Sequence, residues 1–145
     1  TYIDTIEPLK NLCHKILEEK PSFIAIDCEF IRQTTYWPEL GLIQLATPSY
    51  AAIIDPVIHG LSLEPLKSIL EDKSITKVFH AGYQDIEILY NLFKTCPFPV
   101  FDTQIAAAFS GLGQGLGYEK LIYLLLDIKI SKTEQFTNWL SRPLT

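Results

Sequence analysis

Methionine is absent from all 145 residues, and cysteine occurs only three times, at Cys13, Cys28 and Cys96. The thiols are far apart, odd in number and free of any CxxC or Cys/His zinc spacing, so neither a disulfide frame nor a structural zinc site is supported. Such usage suits a reducing compartment, and the expectation is a cytoplasmic protein. No apolar run is long enough to span a bilayer, and no signal-peptide pattern of basic start, apolar middle and small-residue cleavage site is present. No membrane partner is expected. Basic residues are short too: 12 Lys and Arg stand against 17 Asp and Glu, a formal net charge of −5. A protein that grips nucleic acid usually shows a basic stripe, and none is seen. One route stays open, because a carboxylate site can present positive charge through bound metal ions. The missing methionine at position 1 fits either removal of an initiator or a piece of a longer chain.

What is present argues for one folded body. Apolar residues make up 48% of the chain and charged ones 20%, a balance unlike that of disordered segments. The length suits a single domain with a proper core, and no repeat, linker or low-complexity segment interrupts it. Ile6, Leu9, Leu12, Ile16 and Leu17 recur at helical spacing and predict a helix over 3–20, stopped by Pro21-Ser22. Phe23-Ile24-Ala25-Ile26 is an unbroken apolar run that suits a central strand covered on both faces, and it ends in Asp27-Cys28-Glu29-Phe30. A polar, aromatic loop over 32–39 leads to a second strand at 40–46 and a third at 50–54, joined through Thr47-Pro48-Ser49 as an antiparallel hairpin. Helix 63–71, strand 76–79, helix 83–93 and strand 99–101 follow; helix 104–109, capped by Asp102-Thr103, and an apolar helix at 118–126 complete the series. The late alternation asks for parallel crossovers and the early hairpin for antiparallel pairing. The expected fold is α/β, a mixed sheet of about five strands flanked by helices.

Residues two apart on a strand share a face, so Asp27 and Glu29 aim their carboxylates together while Cys28 points into packing. Two like charges at a covered strand end call for a cation, and oxygen-only donors favour Mg²⁺ or Mn²⁺ over zinc. A bare DxE is also a common way for a strand to end in solvent. The DxDxT pattern of aspartyl-phosphate phosphatases fails here, because the second acid is Glu29 and position 31 is Ile. Asp85 strengthens the metal reading. It falls in the first turn of a helix that follows a parallel strand, and ligand sites of open α/β sheets gather at the carboxyl ends of strands.

Four segments then form an ordered set: Ile26-Asp27-Cys28-Glu29-Phe30; Leu40-Gly41-Leu42-Ile43-Gln44-Leu45; Lys77-Val78-Phe79-His80-Ala81-Gly82 with Asp85; and Phe101-Asp102-Thr103-Gln104-Ile105-Ala106-Ala107. Together with Lys132-Thr133-Glu134-Gln135 and Trp139-Leu140-Ser141-Arg142-Pro143-Leu144, this set resembles the motifs of the ribonuclease D family, in the DEDD exonuclease superfamily. Cys28 departs from the threonine common there. The resemblance implies a ribonuclease-H-like fold and a 3′→5′ exoribonuclease that hydrolyses the terminal phosphodiester with two divalent ions, acting on RNA 3′ ends, tRNA precursors among them. It implies that Asp27 bridges both ions, that Glu29 holds the ion nearer the nucleophile, and that Asp85 serves the second. It also implies substrate contacts for Phe30, His80 and Lys132, although a histidine ending a strand often serves a local hydrogen bond and Lys132 reads equally as a solvated lysine.

The family's fourth aspartate, with a tyrosine four residues before it, lies after the Arg-Pro-Leu segment. Residues 1–145 are therefore expected to be a single exonuclease domain with three of four acids, inactive by itself. Tyr123 and Asp127 have the tyrosine spacing but precede Lys132 and Arg142, and a tyrosine in that apolar stripe reads as core. His80 and Asp85 have the histidine spacing, yet Asp85 is already the third acid. The glycine-rich run 111–117 lies between helices and reads as a connector, not a dinucleotide cradle. Two alternatives remain: an exonuclease acting on single-stranded DNA, and a nuclease-like binding module without catalysis.

Overall fold

The computed structural model describes residues 1–130 and 137–144. Its strands are β1 (Tyr2–Ile3), β2 (Phe23–Ile31), β3 (Glu39–Ala46), β4 (Ala51–Ile54), β5 (Thr76–Phe79) and β6 (Val100–Asp102). Its helices are α1 (Ile6–Glu19), α2 (Leu66–Glu71), α3 (Tyr83–Phe93), α4 (Thr103–Phe109) and α5 (Tyr118–Leu126). The strands form one mixed sheet in the order β1-β4-β3-β2-β5-β6. β2, β3 and β4 are antiparallel neighbours, while β5 adds parallel to β2, β6 parallel to β5, and β1 parallel to β4.

The α/β mixed sheet agrees with the sequence; the count does not, being six strands and not about five. β1 is only two residues long and carries no periodic signal. It takes the start of the expected helix, so α1 begins at Ile6 after Thr5 in an extended conformation. β2 also differs from expectation. It does not end at the acids but runs through them to Ile31 along β3, so Asp27 and Glu29 sit inside a nine-residue strand. Nor are both of its faces covered alike. Ile24, Ile26 and Cys28 are buried, whereas the alternate residues Ala25 and Asp27 line an open groove on the other face.

The main core joins Leu9 and Ile16 of α1, Ile69 of α2 and Leu89 of α3 to Ile24, Ile43 and Ile54 of the sheet, all but inaccessible to water. Burial of this kind stabilises by about 2 kcal/mol per side chain. A smaller cluster of Ala107, Leu116 and Leu121 holds α4 to α5. Because α5 buries only Leu121, Tyr123 is not a core residue as its stripe suggested; it stands 46% exposed.

Two buried charges stitch the periphery. Lys77 is fully buried, and its Nζ donates to the carbonyls of Asp72 (2.6 Å), Ile75 (2.9 Å) and Phe98 (2.8 Å). All three ammonium protons are thereby used, as burial of the group requires. Asp55, at the end of β4, is equally buried and accepts from the Tyr2 hydroxyl, from Val57 N–H at 2.9 Å and from Arg142 Nη2 at 2.7 Å. Arg142 also donates to the carbonyls of Gly41 (3.0 Å) and Trp139 (2.8 Å). A Cβ on Gly41 would lie 2.5 Å from the Trp139 carbonyl oxygen, so only glycine admits this close approach. The guanidinium thus docks the 137–144 segment onto the end of the β3–β4 pair where β3 starts and β4 finishes.

Breaking the Asp55–Arg142 pair leaves an uncompensated buried charge, so Asp55→Ala is expected to cost about 3 kcal/mol in urea denaturation. Burial pushes the Asp55 carboxyl up, but Arg142, Tyr2 and the Val57 N–H outweigh it, and the net value falls below 3.8. A lowered carboxyl contributes stability in full above its unfolded value and loses it as pH falls through the folded one. The difference in stability between wild type and Asp55→Asn is therefore expected to shrink below about pH 4. A difference that stays constant down to pH 3 contradicts this.

Candidate active site

β2 outruns its parallel neighbour. Pairing with β5 stops at Ala25↔Val78, while pairing with β3 continues to Ile31↔Glu39. Backbone donors beyond that point need another partner, and the Cys28 N–H finds one in Asp85 Oδ1 at 2.8 Å. Asp85 sits in the first turn of α3, where the helix terminus favours an ionised carboxylate, and is only 8% exposed. The turn between β5 and α3 puts it there. Gly82 packs so tightly on Phe79 that a Cβ would come within 2.4 Å of the Phe79 Cβ, and Ala81 takes a left-handed φ of 55°.

Asp27 and Glu29 share a face of β2, as their spacing predicts. Across the strand pair, Gln44 lies opposite Asp27. Its Nε2 donates to Asp27 Oδ2 at 3.3 Å and to Glu29 Oε1 at 3.2 Å. A β-bulge between Glu29 and Phe30 follows at once. The three expected acids therefore occupy one neighbourhood, with Gln44, part of the second motif but given no site role by the sequence, as a fourth member. Its part depends on the β2–β3 register, which becomes visible only in the folded sheet.

Burial and the Asp85 charge push the Asp27 carboxyl up to about 6. Burial, then Asp27 and Asp85, push Glu29 up to about 7. Asp85 is raised by burial against the opposing hydrogen bond from Cys28 N–H. Burial and the same three carboxylates raise the Cys28 thiol well above its ordinary value, which keeps it protonated and inert. Water still reaches Asp27 through the groove, although protein atoms crowd its carboxylate. Among the described residues, no three Asp, Glu, His or Cys side chains are clustered as a ready-made metal cage. Gln44 and the Cys28 amide occupy carboxylate oxygens that an ion would compete for. The donor chemistry nevertheless fits a hard divalent cation: oxygen ligands only, like charges, and a partly desolvated recess.

The groove over this face of the sheet measures about 720 Å³, and Asp27, Gln44, His80, Thr103, Tyr118 and Ile122 contribute to its wall. Thr103 Oγ1 donates to the Phe79 carbonyl at 3.1 Å and lies 2.9 Å from His80 Nδ1. A hydroxyl has one proton, so Thr103 accepts from His80 Nδ1–H, which assigns the tautomer. His80 Nε2 is buried and has no hydrogen-bond partner among the described residues. The local hydrogen bond expected of this histidine exists, and the ring also meets Tyr118 edge to face, with centroids 5.4 Å apart.

Asp102 does more than cap α4. Its carboxylate accepts from Gln104 N (2.8 Å) and Ile105 N (3.2 Å) in the cap, and from Ala81 N (3.1 Å) and Gly82 N (2.9 Å) in the turn that carries His80 toward Asp85. Burial raises its pKa, the four amides lower it, and the amides win. Phe30 is half-buried against the main core and does not line the groove. Lys132 lies outside the described residues. Asp127 ends α5 in a left-handed conformation, its N–H bonded to the Tyr123 carbonyl at 2.9 Å. Gly111, Gly113 and Gly115 all have positive φ in the α4–α5 connector, a backbone suited to glycine.

Residues 1–145 match the family model described as "3'-5' exonuclease". Ribonuclease D of Zymomonas mobilis is 49% identical over 137 residues, 94% of this chain and 35% of that protein. The chain thus spans about a third of the length of this curated relative. The crystal structure of Escherichia coli RNase D, "an exoribonuclease involved in structured RNA processing", superposes with a TM-score of 0.92 at 42% identity, over 100% of this chain and 38% of that one. Brucella melitensis NrnC with bound Mg²⁺ superposes with a TM-score of 0.76 at 26% identity, over 99% of this chain and 67% of that one.

The four amides on Asp102 set a clear expectation. Asp102→Ala removes a helix cap and the tether of the His80–Asp85 turn together, and is expected to cost about 2 kcal/mol or more by denaturant titration. Thr103→Val is expected to cost less, since the cap survives. Equal costs for the two variants contradict the bridging role of Asp102.

Proposed function

The chain belongs to the 3′-5′ exonuclease family, and on that premise we propose that it carries the acidic centre of a ribonuclease D-like enzyme that removes nucleotides from RNA 3′ ends. The observation that carries the reading is the group of three carboxylates around β2. Burial and the Asp85 charge push Asp27 up to about 6, burial and the Asp27 and Asp85 charges push Glu29 up to about 7, and no cationic side chain among the described residues is one of the groups that shift them. Strongly perturbed acids are what a functional site concentrates, Asp27 opens onto the groove, and a divalent cation would supply the counter-charge.

Mg²⁺ or Mn²⁺, two ions by the resemblance to ribonuclease D, would be held by Asp27, Glu29 and Asp85 and would supply charge stabilisation to the attacking and leaving oxygens of the phosphodiester. By the same resemblance, Asp27 would be the ligand common to both ions, Glu29 would serve the ion on the nucleophile side, and Asp85 would serve the other. Gln44 keeps the two strand carboxylates on one side of β2. His80, in the groove wall, and Phe30, next after Glu29 on β2, would contact the terminal nucleotide, as the resemblance implies. RNA is favoured over single-stranded DNA because the RNase D of similar fold is described as an exoribonuclease; tRNA precursors are the substrate that the family suggests. Free thiols at Cys13, Cys28 and Cys96 suit a cytoplasmic setting. No helix among the described residues is long and apolar enough to cross a membrane.

The test uses the natural protein that carries this chain. With Mg²⁺ and a 5′-labelled single-stranded RNA, shortening from the 3′ end is expected, and Asp27→Asn is expected to slow it at least about a hundred-fold. Millimolar Mg²⁺ is also expected to raise the wild-type Tm more than that of Glu29→Gln, as ligand linkage requires. Shortening that proceeds unchanged in Asp27→Asn, or a Tm response that ignores Glu29, overturns the assignment.

A further inference from the structure

The loop between β2 and β3 is exposed, yet it is held in place. Tyr36 is 77% exposed and Trp37 50%. Their rings meet edge to face, with centroids 4.8 Å apart and planes at 89°. Two hydrogen bonds within the loop hold the backbone beneath them, and one ion pair ties the loop to α3. Arg32 Nη2 donates to the Tyr36 carbonyl at 3.1 Å, and Thr35 Oγ1 donates to the Trp37 carbonyl at 2.6 Å. Arg32 Nη1 also pairs with Glu87 at 2.9 Å, and that pair is only 35% and 20% exposed at its side chains. Glu87 lies on α3, two residues past Asp85. The same helix therefore holds one acid of the centre and the anchor of the aromatic loop. Arg32 itself follows Glu29 by three residues, about 10 Å along an extended strand.

Two exposed rings would ordinarily be unremarkable. A loop braced by two internal hydrogen bonds and one ion pair to α3 is a different matter, because that bracing limits the freedom its rings lose on binding. Their surroundings, Gln33, Thr34 and Thr35, are polar and exposed, which suits a flat ligand with a polar edge better than an apolar helix. The net charge of −5 over these residues argues against a broad basic patch here, and stacking on π faces is a source of grip that tolerates any base.

We propose that Tyr36 and Trp37 form a stacking shelf for nucleobases of a single-stranded chain whose 3′ end lies at Asp27, Glu29 and Asp85. This rests on the exonuclease reading for where the end lies. The shelf takes bases one to a few nucleotides back from the terminus, and Arg32 and Glu87 set its distance from the acids.

A cycle between protein and nucleic acid tests it. In the natural protein carrying Asp27→Asn, so that little is cut, affinity for a labelled single-stranded RNA is measured by anisotropy. Single abasic sites are scanned over the last few positions. Trp37→Ala and an abasic site at the stacked position are each expected to weaken binding about ten-fold. Combined, they are expected to weaken it no further, and Trp37→Phe should keep most of the affinity. In the cleaving protein, Trp37→Ala is expected to raise KM more than it lowers kcat. Additive losses, or no loss from Trp37→Ala with RNA and no position-dependent effect of abasic sites, overturn the shelf. Absence of nucleotide release by the wild-type protein with the non-additive cycle intact would sink the exonuclease reading and leave the shelf standing.

Discussion

The Cys28 amide has no strand to pair with on the side of β5, and the Asp85 carboxylate takes its proton at 2.8 Å. This bond exists because β2 is longer than its parallel neighbour, and a buried backbone donor must be satisfied somewhere. It brings the first turn of α3 against the middle of β2. The third acid thereby reaches the two that the strand already presents on one face. The tight β5–α3 turn, with its left-handed Ala81 and crowded Gly82, serves the same end, and Asp102 holds that turn by two of its amides.

Carboxylates in this protein separate into two kinds by how they are answered. Asp55 and Asp102 are surrounded by donors, a guanidinium in one case and four backbone amides in the other, and both are held below their ordinary values. They bind the architecture together and remain ionised. Asp27 and Glu29 face one another, Asp85 and a single shared amide, and both are raised. An evolved fold rarely leaves like charges so poorly compensated in a recess without a use for them. The division is physical, and it separates acids with a structural task from those available for chemistry without reference to any motif.

How much of this was legible beforehand depends on the range of each interaction. The helices at 83–93 and 118–126 and the strand at 76–79 stand where their apolar patterns place them, because local periodicity reports local structure. β1 carries no pattern in two residues, and it exists because β4 offers it an edge. The exposure of Tyr123 was misjudged for a related reason: an apolar stripe says that a helix has something to bury, not how much of it is covered in the fold.

Alone, the sequence determined that Asp27 and Glu29 lie on one face of a strand, since a strand repeats every two residues. It placed Asp85 in the first turn of the helix after a parallel strand, and its ordered motifs pointed to the ribonuclease D family. Tertiary structure decided what the acids meet. Gln44 stands between Asp27 and Glu29 because of the β2–β3 register, Asp85 reaches β2 because β5 is short, and Arg142 finds Asp55 across 87 positions of chain. Contacts at such separation are paid for by the global packing of the sheet and its helices, and no local run of residues encodes them.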